Sequence, residues 1–183
     1  MAQKAIFLDR DGVINIDKGY IYKPEDIEFI SGIFELLKYA ESKGYILIII
    51  TNQAGIARGY YSEDDFNALT NWMIKKFKDK CINIKKVFFS PYHPIHGKGI
   101  FKKDHNSRKP NTGMIIDAKK EFNIDLSKSI LIGDKSTDIE AGISAGIATN
   151  LFLENDLYSI NLNKKNFYSI SSLDDAKKYL YDK

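Results

Sequence analysis

The chain has one cysteine, Cys81, in 183 residues, so it forms no internal disulfide, and a metal site built on several thiolates is excluded. Proline is scarce too, with four residues, and two of them, Pro91 and Pro94, stand together at the head of one segment. The longest unbroken apolar run, Tyr45 to Ile50, is far shorter than the ~20 residues a bilayer-crossing helix needs. Neither sign of charge dominates: 27 basic against 24 acidic residues leave +3, too little to argue for nucleic acid as a partner. The opening MAQKAIFLD lacks the basic-then-apolar order of a secretory signal. A soluble, cytoplasmic protein with no membrane or nucleic-acid partner is expected.

What is present suffices for a sizeable core. Hydrophobic residues make up 44% of the chain and charged residues 28%, a globular balance. Short apolar runs alternate with helical periodicity. Ala5–Leu8 reads as a buried strand. Ser31 is a plausible N-cap for a helix through Ile33, Leu36, Leu37 and Ala40, stopped by Gly44. YILIII is a strand buried on both faces, and Ser62 with Asp65 opens a second helix carrying Phe66, Leu69, Trp72, Met73 and Phe77. Further strands are expected at Val87–Phe89, Ser129–Ile132, Ala148–Leu153 and Phe167–Ile170. Helices are expected at Thr112–Phe122, Thr137–Ala145 and Leu173–Tyr181. This order predicts an α/β fold, a doubly wound, Rossmann-like parallel sheet with helices on both faces. A single domain over residues 1–183 is expected.

In such sheets ligands gather beyond the carboxyl ends of the strands. The first strand runs into LDRDGVIN, where Asp9 and Asp11 stand two apart and so face one way on extended backbone. Two close carboxylates repel unless a cation or a shared proton intervenes, and Mg²⁺ with oxygen ligands supplies that compensation. The second strand ends in ITNQ, the third leads toward RKP, and the fourth ends in IGDKSTD. Thr51 and Asn52 offer hydrogen bonds, Lys109 a compact positive charge and Asp134 another hard oxygen ligand.

DRDG, ITNQ, RKP and GDKSTD together resemble the four motifs of the haloacid-dehalogenase-like phosphatases, over Lys4 to about Leu153. The resemblance implies a doubly wound core, Mg²⁺ dependence and an aspartyl-phosphate intermediate. Carried over by position, it makes Asp9 the nucleophile and Asp11 the general acid and base. Asp9, the backbone carbonyl of Asp11, and Asp134 would hold Mg²⁺. Thr51 and Lys109 would bind the transferring phosphoryl group, with Asp138 anchoring basic neighbours behind it. Lys135 is expected to be a local charge partner.

Only a flap at about 15–30 and a specificity loop at about 90–108 interrupt the core, so no large cap domain is expected. NQAGIARGYYSEDDF, with DRDGVIN, DKGYIYKPEDIEFI and RKPNTGM, is similar to the D-glycero-D-manno-heptose 1,7-bisphosphate 7-phosphatases. That family supplies heptose 1-phosphate for lipopolysaccharide or other surface glycans. The resemblance implies a sugar bisphosphate as small-molecule substrate and a monomeric enzyme. A second phosphate, remote from the reacting one, needs cations of its own. Arg58, in the Gly-bounded loop GIARG, and Arg108, beside Lys109, are the best candidates, since Arg binds phosphate bidentately, and Asn52 and Gln53 are placed to read sugar hydroxyls. Three alternatives stay open: a histidinol-phosphate phosphatase, a nucleic-acid 3′-phosphatase using Tyr20, Tyr22, Tyr60 and Tyr61 to stack bases, and a non-catalytic binding module.

All three histidines, His93, His96 and His105, lie in SPYHPIHGKGIFKKDHNSRKP. Zinc-containing relatives carry their ligands in this loop, and the positions matching them are Ser90, Tyr92, His105 and Ser107. Three of the four are poor zinc ligands. The expectation is therefore no zinc, and a loop held by hydrogen bonds and packing.

Overall fold

Alternation along the apolar runs assigns each residue to a layer. In β1 (Lys4–Leu8) Ile6 and Leu8 pack on one side of the sheet, Ala5 and Phe7 on the other. In β2 (Tyr45–Asn52) Leu47 and Ile49 join the first core and Ile48 and Ile50 the second. Both faces of the central strands are therefore dry, which is why their sequences read as continuous apolar runs. The computed structural model describes residues 2–154 and 166–181.

The remaining elements are α1 (Ile33–Ser42), α2 (Ala54–Arg58), α3 (Glu63–Lys78), β3 (Ile84–Ser90), α4 (Gly113–Phe122), β4 (Ile130–Gly133), α5 (Ser136–Ala145), β5 (Thr149–Leu153) and β6 (Phe167–Ile170). The strands form one sheet in the order β3-β2-β1-β4-β5-β6, and every pairing is parallel. α1 and α3 supply Leu36, Leu37, Met73 and Phe77 to the first core. α4 and α5 supply Met114, Ile115, Ala118 and Ile139 to the second. The doubly wound expectation holds. The order reverses at β1, which lies between β2 and β4, and the crevice above that switch point is where a ligand is expected.

Local signals held where both partners are neighbours in sequence. Ser62 caps α3 by accepting from the Asp65 N–H at 3.1 Å, and Asp65 answers by accepting from the Ser62 N–H at 2.8 Å. Four expectations need correction. α1 is entered not from a Ser31 cap but through Gly32, at φ 85° with no side-chain cap. GIARG is not an open loop: it forms the short helix α2, ended by left-handed Gly59. β3 begins three residues earlier than its apolar part, because it is an edge strand whose exposed Lys85 and Lys86 break the hydrophobic run. The last segment is a 3₁₀ turn at Asp175–Tyr179 rather than a full helix.

Between β1 and α1 the chain leaves and returns through an antiparallel pairing. The Ile16 N–H donates to Glu28 O and the Ile30 N–H to Ile14 O, both at 2.9 Å. Phe29, at the base of this flap, packs edge-on against Phe77 of α3 with ring centres 5.7 Å apart, and Phe34 of α1 meets Phe77 at the same distance. Phe77 thus joins three segments while fully buried. Phe77→Ala is expected to cost about 3–5 kcal/mol of stability, read in urea titrations as a lower midpoint with an unchanged slope.

Candidate active site

Each strand end above the switch point delivers one polar group. Asp9 follows β1, and its N–H donates to Ile132 O of β4 at 3.0 Å, so the sheet ladder itself carries the carboxylate into the crevice. Thr51 ends the buried part of β2, and Asp134 follows β4; all three are buried. Gly12 stands at φ 94°, and a Cβ there would run into the Asp134 carboxylate. Glycine is needed at this position on both counts.

Lys109 arrives from the loop before α4 and is almost fully buried. Its Nζ lies 2.6 Å from Asp138 Oδ1 and 3.0 Å from Asp9 Oδ1, and donates to Ile50 O at 2.8 Å. Burial alone would lower its pKa, but Asp138 and Asp9 outweigh that and hold it above its ordinary value. Lys109 is therefore a permanent cation beside the Asp9 carboxylate. Asp138 belongs to α5, where its other oxygen accepts from the Lys135 N–H at 3.0 Å. Asn52 fixes the Lys109 backbone from both sides, with the Lys109 N–H donating to its Oδ1 and its own Nδ2 donating to Lys109 O, each at 3.0 Å.

Asp11 sits in a fork of donors. Arg10 Nη2 reaches it at 2.8 Å, Asn15 Nδ2 at 3.0 Å and Gln53 Nε2 at 3.1 Å. Gln53 is buried, also donates to Thr51 Oγ1 at 2.8 Å, and accepts from the Tyr61 hydroxyl. Arg10 is among the largest fully buried side chains, and its Nη2 also donates to the flap carbonyl of Ile21 at 3.0 Å. Lys135 pairs with flap residue Asp17 at 2.9 Å. Asp11, Asn52, Gln53, Lys135 and Tyr20 all border a cleft of about 280 Å³.

Asp9, Asp134 and Asp138 each bring a carboxylate oxygen within 4.8 Å of the other two, and Asp134 Oδ1 is buried with no hydrogen-bond partner. Burial, then repulsion from Asp9, raises the Asp134 pKa; burial first, with smaller repulsion from Asp138 and Asp11, raises that of Asp9. A hard divalent cation fits this all-oxygen set. Because both Asp138 oxygens are already engaged, one by the Lys109 ammonium and the other by the Lys135 N–H, Asp9 and Asp134 are the carboxylates left to hold an ion.

Away from this centre, Arg58 and Arg108 approach each other from different segments. Burial and the neighbouring Arg58 charge both lower the Arg108 pKa, while Arg58 Nε is buried without a hydrogen-bond partner. Arg108 Nη1 donates to Tyr92 O at 3.1 Å, and Arg58 lies 5.8 Å from the Tyr20 ring centre. His93 stands nearby, its pKa lowered by burial and then by these two cations. Its Nδ1 accepts from the N–H groups of Ile95 and His96. Two guanidinium charges crowded together in this way are stabilised by an anion between them.

The HAD-hydrolase-like family model matches residues 106–169. A D-glycero-alpha-D-manno-heptose-1,7-bisphosphate 7-phosphatase from Burkholderia mallei is 51% identical over 153 residues, covering 84% of this chain and 81% of its own. The chain belongs to this family of heptose-bisphosphate phosphatases. A D-glycero-beta-D-manno-heptose-1,7-bisphosphate 7-phosphatase from Vibrio cholerae is 42% identical over 153 residues, 84% of this chain and 82% of its own. The crystal structure of D,D-heptose 1,7-bisphosphate phosphatase from B. bronchiseptica, complexed with magnesium and phosphate, shares the fold. Its TM-score is 0.81 at 23% identity, covering 97% of this chain and 98% of that one.

For this member of the family, Asp9, Asp11, Thr51, Lys109, Asp134 and Asp138 lie around one crevice, with Arg58 and Arg108 paired at a distance. The sequence pattern did not single out Arg10, Asn15 or Asp17, and it offered Tyr61 only as a base-stacking ring, not as the hydroxyl that donates to Gln53. The signal for Arg10 was its place between the two aspartates of DRDG, where the nearest carboxylate is one residue away.

Two outcomes follow from the buried charges. Asp138→Ala leaves Lys109 paired on one side only and is expected to cost about 3–5 kcal/mol, measured by chemical denaturation. For the acids, the folded state keeps protons on Asp9 and Asp134 that the unfolded chain loses near 3.8. Their contribution to stability therefore falls as pH rises above that value. Added Mg²⁺ removes the repulsion, so its increment to the melting temperature of metal-free protein is expected to grow from mildly acidic to mildly alkaline pH. A pH-independent increment counts against metal binding at these carboxylates.

Proposed function

We propose that the chain is a Mg²⁺-dependent phosphatase that removes the 7-phosphate of D-glycero-D-manno-heptose 1,7-bisphosphate, for the heptose precursors of surface glycans. The observation that carries this is the presence of two separate cationic centres, the second reaching the cleft through Arg58, which lies over the ring of cleft residue Tyr20. One is the Asp9–Thr51–Lys109 centre, suited to a reacting phosphoryl group; the other is the Arg58–Arg108 pair, suited to a second phosphate. The names of the relatives support the choice of sugar.

Bound Mg²⁺, held by Asp9, Asp134 and the Asp11 carbonyl, would offset the negative charge between nucleophile and phosphate. The chain's own groups do the rest. An Asp9 carboxylate oxygen attacks phosphorus as the bond to the sugar oxygen breaks, and Asp11 gives that oxygen a proton. Asp11 then takes a proton from water, whose oxygen attacks the aspartyl phosphate and releases inorganic phosphate and the Asp9 carboxylate. Lys109 and Thr51 hold the phosphoryl oxygens throughout. Asn52 and Gln53, expected from the sequence to read sugar hydroxyls, serve in this proposal as positioning residues, because their amides are engaged by Lys109, Asp11, Thr51 and Tyr61. The enzyme acts as a cytoplasmic monomer on a soluble substrate; among the described residues no helix is long and apolar enough to cross a membrane.

Phosphate release is to be compared, with Mg²⁺, across both anomers of the heptose bisphosphate, fructose 1,6-bisphosphate, histidinol phosphate and a 3′-phosphorylated oligonucleotide. The heptose bisphosphate is expected to give the highest kcat/KM, and preference for histidinol phosphate or the oligonucleotide overturns the assignment. Asp9→Asn is expected to lower kcat by at least about 10³-fold with an unchanged circular dichroism spectrum. Retained turnover would refute Asp9 as nucleophile.

A further inference from the structure

The segment that delivers Arg108 is clasped to the end of β3 by side chains that take no part in the chemistry above. Ser90, the last residue of β3, is fully buried, and its Oγ is hydrogen-bonded to Ser107 Oγ at 3.0 Å. Ser107 Oγ is in turn 2.8 Å from His105 Nδ1, which also accepts from the Ser107 N–H at 3.1 Å. A ring nitrogen that accepts a backbone N–H carries no proton, so His105 is held as the Nε2–H tautomer. The His105 ring lies against the Tyr92 ring with centres 4.1 Å apart.

Each partner then leads to Arg108. The carbonyl of Tyr92 accepts from the Arg108 guanidinium at 3.1 Å, and the carbonyl of His105 accepts from the Arg108 N–H at 2.9 Å. Arg108 is therefore held at its side chain from one half of the clasp and at its backbone from the other. On the far side of Ser90, its carbonyl accepts from the Gln53 N–H at 2.8 Å, which ties the clasp to the strand end that carries Thr51. A flexible arginine loses less rotamer freedom on binding when its fork is already aimed.

We propose that Ser90, Tyr92, His105 and Ser107 form a protein-only positioning clasp that aims Arg108 at the second phosphate of the substrate. The clasp is a specificity device for this reaction. Nitrogen and hydroxyl groups do by hydrogen bonding what a metal would do by coordination, and with one imidazole, two hydroxyls and a phenol ring the set is poor in zinc ligands. The proposal rests on the two-phosphate reading above.

The test separates the two phosphates. Steady-state kinetics of Ser107→Ala and His105→Phe are measured on the heptose 1,7-bisphosphate and on the heptose 7-phosphate, which lacks the remote group. Phenylalanine keeps a ring against Tyr92 while removing both ring nitrogens, the Nδ1 acceptor among them, so it serves where the alanine variant folds poorly. KM for the bisphosphate is expected to rise about fivefold, the equivalent of one neutral hydrogen bond, with kcat within about twofold. KM for the monophosphate is expected to stay unchanged, and Ser107→Thr, which restores the hydroxyl, to recover the wild-type value. An unchanged KM for the bisphosphate, or equal losses on both substrates, overturns the clasp. So does one tightly held zinc per chain in chelator-washed protein. Wild-type enzyme that does not distinguish the two substrates overturns the two-phosphate reading itself, and the clasp's role with it.

Discussion

Everything at the crevice turns on the Lys109 ammonium held between Asp9 and Asp138. A buried lysine is costly unless its charge is met, and two carboxylates meeting it at 3.0 and 2.6 Å make it a fixed positive charge rather than a titrating one. Because one of those carboxylates is the proposed nucleophile, the same contact orients Asp9 and leaves a cation where a phosphoryl group would arrive. Asp138 stays behind as the permanent counter-charge, and its second oxygen closes the first turn of α5 through the Lys135 N–H. The helix and the proposed catalytic centre therefore share one carboxylate.

Around that pair the fold allows little room. Gly12 and Gly133 are small because the carboxylate of Asp134 and the side chain of Asp138 occupy the space a Cβ would need. The flap is coupled to the same centre by two contacts of different kinds, a charged one from Lys135 to Asp17 and a hydrogen bond from Arg10 to the Ile21 carbonyl. Arg10 also grips Asp11, so the proposed acid–base residue and the flap are held by one guanidinium. The proposed site for the second phosphate is kept apart from the proposed chemistry: the Arg58–Arg108 pair stands on α2 and on the segment before Lys109, beyond the strand ends.

How much was legible depended on how far apart the interacting residues lie. The Ser62–Asp65 cap is a three-residue interaction, and it formed as its spacing implied. The strand-end motifs were legible because parallel strands buried on both faces leave long apolar runs that end abruptly in polar residues. β3 was read short because an edge strand tolerates lysines that interrupt the run, and α2 was read as a loop because its five residues, with Gly55 among them and Gly59 just after, are too few to show a helical period. The loop histidines drew attention as a cluster, yet His93 bonds its own backbone neighbours while His105 joins Ser107 and Ser90.

Composition and order along the chain were thus enough for the doubly wound α/β class, for the crevice at the strand ends and for the aspartates that line it, since those follow from periodicity and from chain topology. Partner choice was decided only on folding. Lys109 selects Asp138, Arg10 selects Asp11, Asn52 engages the Lys109 backbone instead of standing free, and Ser90 meets Ser107 across the segment between β3 and α4. Hydrogen bonds and ion pairs act over about 3 Å. Most of these residues lie many positions apart, so their contacts exist only after the strands have paired and the helices have closed over both faces. Arg10 and Asp11 are neighbours, but it is the buried pocket beneath the flap that turns one upon the other.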